Sequence, residues 1–267
     1  MLDEIKGGFP VFTRSFGKGP EPALLLHCAL AHSKIWTPLA SCLSDRLSMT
    51  APDMPGHGRS APWDNRRDLH DQVTAIAKAC LGKGGHVIGH SFGATVALRL
   101  AMEEPDKVRS LTLIEPVLFA AAKESDLRVF RRYLETSQGF GAALAQGDWA
   151  VAAADFIGIW GDGRPWDTLS EKEQSVFCTQ MPFIHETEPC LIEDANGLLT
   201  EGRPESIRCP TRLIRGSETE PVIAAIHKTL ECRIPQAIDV VVEGAGHMVP
   251  LSHPDKVAEV VEEMITG

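Results

Sequence analysis

The chain has 267 residues, of which 43% are apolar and 23% charged, an ordinary composition for a globular protein. Its net charge of −10 argues against nucleic acid and anionic membranes as partners. No apolar run approaches the ~20 residues of a membrane helix, and the N-terminus lacks the apolar stretch of a signal peptide. We therefore expect a cytoplasmic protein built as one large domain, or as one core with an insertion.

The first part of the chain alternates between predicted strands and predicted helices. Apolar runs predict strands at 10–16, 23–27, 47–51, 86–89 and 110–114. Helical spacing of apolar residues predicts helices at 38–47, 69–81 and 94–103. This order predicts an α/β fold with a mostly parallel central sheet, right-handed crossovers and flanking helices.

The alternation of predicted strands and helices ends after residue 116. Helix-like stretches dominate up to residue 206, at 127–136, 147–160 and 171–181. Strands return at 211–215 and 238–242, with helices at 222–230 and 254–265. About ninety residues exceed a normal crossover. We therefore expect a core made of 1–116 and 207–267, with an inserted helical cap at 117–206.

The stretch Gly-His-Ser-Phe-Gly at 89–93 lies where a predicted strand meets a predicted helix. A turn this tight requires positions 89 and 93 to lack bulk. It would hold the hydroxyl of Ser91 exposed above the sheet, in a strained conformation. The amide of Phe92 would point at the same place, at the positive end of the helix. This pattern predicts a serine nucleophile.

A serine nucleophile needs a base, and His247 has the right position for one. It follows the last predicted strand within a flexible glycine-containing loop, and it comes after the serine in the chain. We assign most of the remaining histidines to structural or surface roles. They are His27, His32, His57, His70, His86, His90, His185, His227 and His253.

Four stretches together make the sequence resemble the α/β-hydrolase superfamily over nearly the whole chain. They are Leu-His-Cys-Ala at 26–29 with Trp36, Asp-Met-Pro-Gly-His-Gly-Arg-Ser at 53–60, the serine turn at 89–93 and Gly-His at 246–247. The resemblance implies that Ser91 is the nucleophile and His247 the base. It also implies that the amides of Ala29 and Phe92 form the oxyanion hole. The family usually has His-Gly where this chain has His27-Cys28, so the Cys28 side chain must point away from that site.

The resemblance leaves the triad acid open between two glutamates. The family's commoner acid is an Asp three or four positions past the glycine that here is Gly216. Thr219 holds the third position and cannot serve, whereas Glu220 holds the fourth. Some members instead carry the acid directly after the strand that follows the serine helix, and Glu115 matches that place. We favour Glu115 as the acid. If Glu115 has no catalytic role, it is a carboxylate at a strand end. If Glu220 has none, it is a residue in the first turn of a helix, where carboxylates are common.

Ser91 also indicates the type of reaction, because related dehalogenases and epoxide hydrolases use Asp at this position. We expect a serine hydrolase that cleaves a small, largely apolar carboxylic ester beneath the cap, through an acyl-enzyme and without metal or cofactor. The seven cysteines are odd in number and without C-x-x-C spacing, which is typical of reduced thiols rather than a metal site. Alternatives are a C–C bond hydrolase, an acyltransferase, or a catalytically weak ligand-binding protein. The sequence decides neither the identity of the substrate nor whether the chain forms a homodimer.

Overall fold

The computed structural model describes residues 4–266, and a seven-stranded sheet forms its centre. A separate antiparallel hairpin precedes the sheet and consists of β1 (Glu4–Lys6) and β2 (Phe9–Val11). The sheet strands are β3 (Thr13–Phe16), β4 (Glu21–Leu26), β5 (Leu47–Pro52), β6 (Gly85–His90), β7 (Val108–Ile114), β8 (Thr211–Gly216) and β9 (Ala237–Val242). Residues 1–3 and 267, which the predicted core includes, lie outside the described residues.

The strand order is β3-β5-β4-β6-β7-β8-β9, and all neighbours are parallel except β3 and β5. Every residue of β6 is buried, as expected for a central parallel strand with helices on both faces. The predicted α/β fold with a mostly parallel sheet is therefore confirmed. The carboxyl ends of the parallel strands meet at one edge, where sheets of this kind place their ligands.

Helices cover both faces of the sheet. In chain order they are α1 (Thr37–Cys42), α2 (Leu69–Leu81), α3 (Phe92–Glu103), α4 (Phe119–Ser125), α5 (Leu127–Thr136), α6 (Gln138–Gln146), α7 (Trp149–Trp160), α8 (Glu171–Glu193), α9 (Pro221–Arg233), α10 (Val249–Ser252) and α11 (Pro254–Thr266). Leu24 and Leu26 of β4 pack with α2 and α3, whereas Ala23 and Leu25 pack with α1 and α11. This alternation follows the two-residue period of a strand and creates two apolar layers.

Helices α4–α8 all lie between β7 and β8 in the chain, and we call residues 117–206 the insertion. Helix α4 packs against α9 of the core, while α7 and α8 pack against each other. Whether 117–206 acts as a separate cap stays a prediction. None of the helices within residues 4–266 combines the length and apolar character that a bilayer crossing requires.

The longest helix corrects the expected end of the 171–181 segment. Helix α8 continues through Pro182 and Pro189 to Glu193. Each proline removes one backbone hydrogen bond and would ordinarily end a helix. Here the helix buries side chains on both sides of Pro182, including Met181, Phe183 and Leu191, and this burial offsets the lost bonds. Helices α4 and α6 were not predicted from the sequence.

Candidate active site

Ser91 lies between the end of β6 and the start of α3, in the left-handed region with φ of 57°. The turn is possible because Gly89 and Gly93 have no side chain. A Cβ on Gly89 would lie 2.7 Å from Ala94 Cα, and one on Gly93 would lie 2.5 Å from the carbonyl oxygen of His27. Both distances are below van der Waals contact, which confirms that these positions must lack bulk.

The two residues expected to supply amides for an oxyanion, Ala29 and Phe92, lie beside Ser91. Phe92 is the first residue of α3, and the first amides of a helix have no acceptor within it. Ala29 lines the same cavities as Ser91. The structure thus brings Ala29, Ser91 and Phe92 together at the carboxyl edge of the sheet.

Two buried histidines hold the loop that carries Ala29. The amide of Leu30, at φ of 59°, donates to His57 Nε2 at 3.0 Å, and His57 Nδ1 donates to the carbonyl of Pro55 at 2.9 Å. His27 Nε2 likewise accepts from the Met54 amide at 2.9 Å. Burial lowers the pKa of His57 to about 3 and that of His27 to about 4, so both rings stay neutral and can accept.

Asp53 ties the loop at 53–60 to the loop after β4. Its carboxylate accepts from the Ser33 amide at 2.6 Å and from the Arg59 amide at 2.9 Å, and its backbone carbonyl accepts from the Ser60 hydroxyl at 2.7 Å. A buried carboxylate requires such donors. The motif at 53–60 therefore supports the loop that carries Ala29, a role that its sequence did not indicate.

His247 lies in the loop between β9 and α10 and is 7% exposed. Its Nδ1 lies 3.0 Å from Glu115 Oε2, which assigns the ring proton to Nδ1 and leaves Nε2 as the acceptor. His90, next to the serine, donates from Nε2 to the backbone carbonyl of His247 at 2.9 Å. Trp160 of the insertion packs edge-on against the His247 ring, with centroids 4.8 Å apart. Glu115 and Trp160 thus fix the imidazole, and His90 fixes the backbone that carries it.

Glu115 follows β7 directly and is completely buried, at φ of 50°. Besides His247, its carboxylate accepts from the Gly216 amide at 2.7 Å and from the Thr219 hydroxyl at 2.5 Å. Charge-assisted bonds of this kind compensate a buried carboxylate. Glu220, the alternative acid, is exposed at the start of α9. The structure therefore brings Glu115, rather than Glu220, to His247.

Thr219 is a site residue that the sequence did not predict. It cannot act as an acid, yet its hydroxyl bonds the carboxylate that contacts His247. The signal was present in the sequence, because Thr219 holds the place where related chains carry their acid. A residue at that place is close to the histidine whatever its chemistry.

Ser91 opens into a cavity with two lobes, which share Ala29, Ser91, Phe156 and Trp160. We call the first the aromatic lobe; it has a volume of about 220 Å³ and includes Phe92, Phe119, Tyr133 and Phe140. The second, the histidine lobe, has a volume of about 140 Å³ and includes His247 and Met248. Ser91 and His247 thus line one common space.

Cys28 is buried beside the histidine lobe. Burial raises the pKa of its thiol to about 12, so the sulfur is neutral near pH 7 and is a poor nucleophile. Among residues 4–266, no three His, Cys, Asp or Glu side chains are grouped so that they could hold a metal. Ser91, which lines both lobes, is therefore the candidate nucleophile at this edge of the sheet.

Comparison with known proteins agrees with this architecture. Residues 23–260 match the Alpha/beta hydrolase family. The chain is 28% identical to lipase LipV of Mycobacterium tuberculosis over 257 residues, which covers 92% of this chain and 94% of the lipase. It is 26% identical to the pimeloyl-[acyl-carrier protein] methyl ester esterase of Aeromonas hydrophila over 268 residues, 96% of this chain and 99% of the esterase.

Solved structures extend the likeness to three dimensions. Carboxylesterase CesB of Bacillus subtilis superposes with a TM-score of 0.67 over 96% of this chain and 88% of its own. At 19% identity this likeness shows the fold alone. The family match spans most of the sequence and includes the serine turn, Glu115 and His247. The chain therefore belongs to the Alpha/beta hydrolase family.

Proposed function

We propose that the protein is a serine hydrolase that cleaves a small, largely apolar carboxylic ester through an acyl-enzyme. One observation carries the proposal: Ser91 and His247 line the same lobe, while His247 Nδ1 bonds the buried carboxylate of Glu115. A nucleophile, a base and a group that orients the base are the parts that serine acyl chemistry requires.

In the first step His247 Nε2 takes the proton of Ser91 as the hydroxyl oxygen attacks the ester carbonyl. Glu115 keeps the ring proton on Nδ1 and stabilises the imidazolium that forms. The amides of Ala29 and Phe92 stabilise the negative oxygen of the tetrahedral intermediate, and being fixed in advance they need no reorganisation. The imidazolium then gives its proton to the departing alcohol, which leaves an acyl group on Ser91.

In the second step a water molecule attacks the acyl-enzyme. His247 takes a proton from this water and returns it to the Ser91 oxygen when the acid leaves. An acyltransferase would use another alcohol in place of this water, and a C–C bond hydrolase would expel carbon in place of oxygen. Ester hydrolysis is favoured because the relatives named above are a lipase and a methyl ester esterase.

The cavity supports a small, apolar substrate. Taken together, the two lobes of about 220 and 140 Å³ reach only the lower end of the ~300–1,000 Å³ that is usual for pockets holding drug-sized ligands. The aromatic lobe is lined mainly by carbon, from side chains such as Val117, Phe119, Phe140 and Ile184. Burial of an alkyl chain there would contribute about 0.8 kcal/mol per methylene.

The test combines labelling by a fluorophosphonate probe with hydrolysis of p-nitrophenyl butyrate. We expect labelling and turnover in the unchanged protein. S91A should abolish labelling, and S91A and H247A should each lower kcat by about 10⁴-fold or more. S41A is the matched control, since Ser41 is an exposed serine of α1.

A protein that neither reacts with the probe nor turns over esters would contradict the proposal and favour the ligand-binding alternative. Turnover that survives in S91A would also contradict it, because another nucleophile would then be responsible. Transfer of the butyryl group to an added alcohol faster than to water would favour the acyltransferase.

A further inference from the structure

The two lobes differ in the reacting groups that they contain. Ser91 and Ala29 line both, but His247 lines only the histidine lobe. If the protein is the ester hydrolase proposed above, the imidazolium must reach the oxygen of the leaving alcohol, which requires a heavy-atom distance of about 3 Å. The alcohol therefore belongs in the histidine lobe, and the acyl chain extends from Ser91 into the aromatic lobe.

The aromatic lobe contains one ionisable carboxyl group in an otherwise neutral lining. Within the described part of the chain, Glu188 of α8 is the lone Asp, Glu, Lys, Arg or His among the residues that form it. Glu188 and Ile192 also border a shallow depression on the outer side of α8. They consequently form part of the wall between the lobe and solvent.

The charge of Glu188 is only weakly compensated. His185, an exposed residue one turn earlier, lies 3.1 Å from its carboxylate, and no lysine or arginine within residues 4–266 forms an ion pair with it. Burial raises the pKa of Glu188, so the site already disfavours one negative charge. In the histidine lobe, by contrast, Arg164 is compensated by Asp162 at 2.9 Å and by Glu173 at 3.0 Å.

We propose that Glu188 is a specificity-determining residue, which restricts the aromatic lobe to esters with uncharged acyl chains and excludes those whose acyl chain ends in a carboxylate. A second carboxylate near Glu188 would meet a like charge in a partly water-excluded space, and no cation lines the lobe to pair with it. The substrate class is thus an ester of a monocarboxylic acid with a neutral chain.

The test compares kcat/KM for p-nitrophenyl hexanoate with kcat/KM for the p-nitrophenyl half-ester of adipic acid, which has the same chain length. We expect the unchanged protein to prefer the hexanoate by roughly 100-fold, the order of a like-charge repulsion at about 5 Å. E188Q should reduce this preference by about tenfold or more, and E188K should reduce it further. E186Q, at an exposed position of the same helix, should leave the ratio unchanged.

A second readout separates this inference from the proposed function. Binding of methyl hexanoate and of monomethyl adipate to the S91A protein, with and without E188Q, reports the selectivity of the lobe without turnover. A protein that hydrolyses no ester fails as a hydrolase, while the binding ratio still decides the role of Glu188. If E188Q and the unchanged protein show the same ratio of hexanoate to adipate half-ester, in kcat/KM or in affinity, the inference is overturned.

Discussion

The carboxyl edge of the sheet and the insertion form the two halves of one cavity, but they are built differently. At the sheet edge, short polar contacts fix each reacting group. The single carboxylate of Glu115, for example, accepts three hydrogen bonds, from Gly216, Thr219 and His247. The insertion contributes mainly aromatic and aliphatic side chains, which contact the cavity without such bonds. The first half can therefore carry chemistry, which depends on angles and distances, and the second can carry selectivity, which depends on volume and charge.

This contrast makes a measurable claim. Changes at the sheet edge should lower kcat by orders of magnitude, and changes in the insertion should alter substrate preference by small factors. Three kinetic predictions test this difference, and one further prediction tests the buried histidines; the greatest expected loss comes first.

The largest expected effect is that of E115Q. The amide cannot stabilise the imidazolium, and its NH₂ group can orient the ring in the wrong tautomer, so we expect kcat to fall by about 10⁴-fold. E220Q is the matched control at an exposed position and should keep kcat within about twofold, as is usual for surface changes. Steady-state kinetics with p-nitrophenyl butyrate measure both. Equal losses in the two variants would remove Glu115 from the mechanism.

A smaller loss is expected for T219V, which removes the hydroxyl that bonds Glu115 while keeping the branched shape. A hydrogen bond to a charged group contributes about 1.5–3 kcal/mol, so kcat should fall by roughly tenfold to 100-fold with little change in KM. T219S restores the hydroxyl and should restore kcat. If T219S is as slow as T219V, Thr219 acts through its packing and not through its hydrogen bond.

A third prediction concerns stability at acidic pH, which depends on the buried neutral histidines of the core. The pKa values of His27, His57, His70 and His90 are lowered to about 3 or 4, mainly by burial. Below pH 6.5 the unfolded chain binds protons that these folded rings do not. The free energy of unfolding should therefore fall with decreasing pH, by up to about 1.4 kcal/mol per pH unit for each ring.

H70Q isolates one of these rings, since His70 of α2 lines neither lobe of the cavity and bonds Thr95 and Arg99. Urea denaturation at pH 7, 6 and 5 gives the free energy of unfolding as a function of pH. For H70Q the slope of this plot should be shallower than that of the unchanged protein by up to about 1.4 kcal/mol per pH unit. S41A, at an exposed position of α1, should keep the slope of the unchanged protein. A flat profile between pH 7 and 5 would contradict the burial of neutral rings.

The smallest effect is expected for F140A in the aromatic lobe. Removing the ring exposes part of a bound acyl chain, at a cost of about 0.8 kcal/mol per methylene, or roughly fourfold in kcat/KM. The loss should grow from p-nitrophenyl acetate to octanoate, while kcat for acetate stays constant. V151A, at an exposed position of α7, is the control. A loss in kcat that is independent of chain length would mean that the insertion also positions reacting groups.

Sequence patterns predicted that Ser91, His247 and Glu115 lie at one site, because each follows a strand and topology alone brings such residues together; the structure places them there. The same patterns placed Thr219 near the histidine, but they could not show that its hydroxyl bonds Glu115, because that contact depends on how the side chains pack. They also ended α8 at Pro182, since local propensity does not include the apolar burial that carries the helix further. The structural role that the sequence predicts for His57 also serves the candidate site, because its bond to Leu30 supports the loop that carries Ala29.

The positive φ of Ser91 has a consequence for what could replace it. A side chain branched at Cβ is strongly disfavoured in that region, whereas Asp and Cys, like Ser, carry a single substituent there. Threonine could not take over as nucleophile even though it bears the same hydroxyl group. Evolution of this scaffold toward another reaction is thus open to thiol or carboxylate nucleophiles and closed to secondary alcohols, by the geometry of one backbone bond.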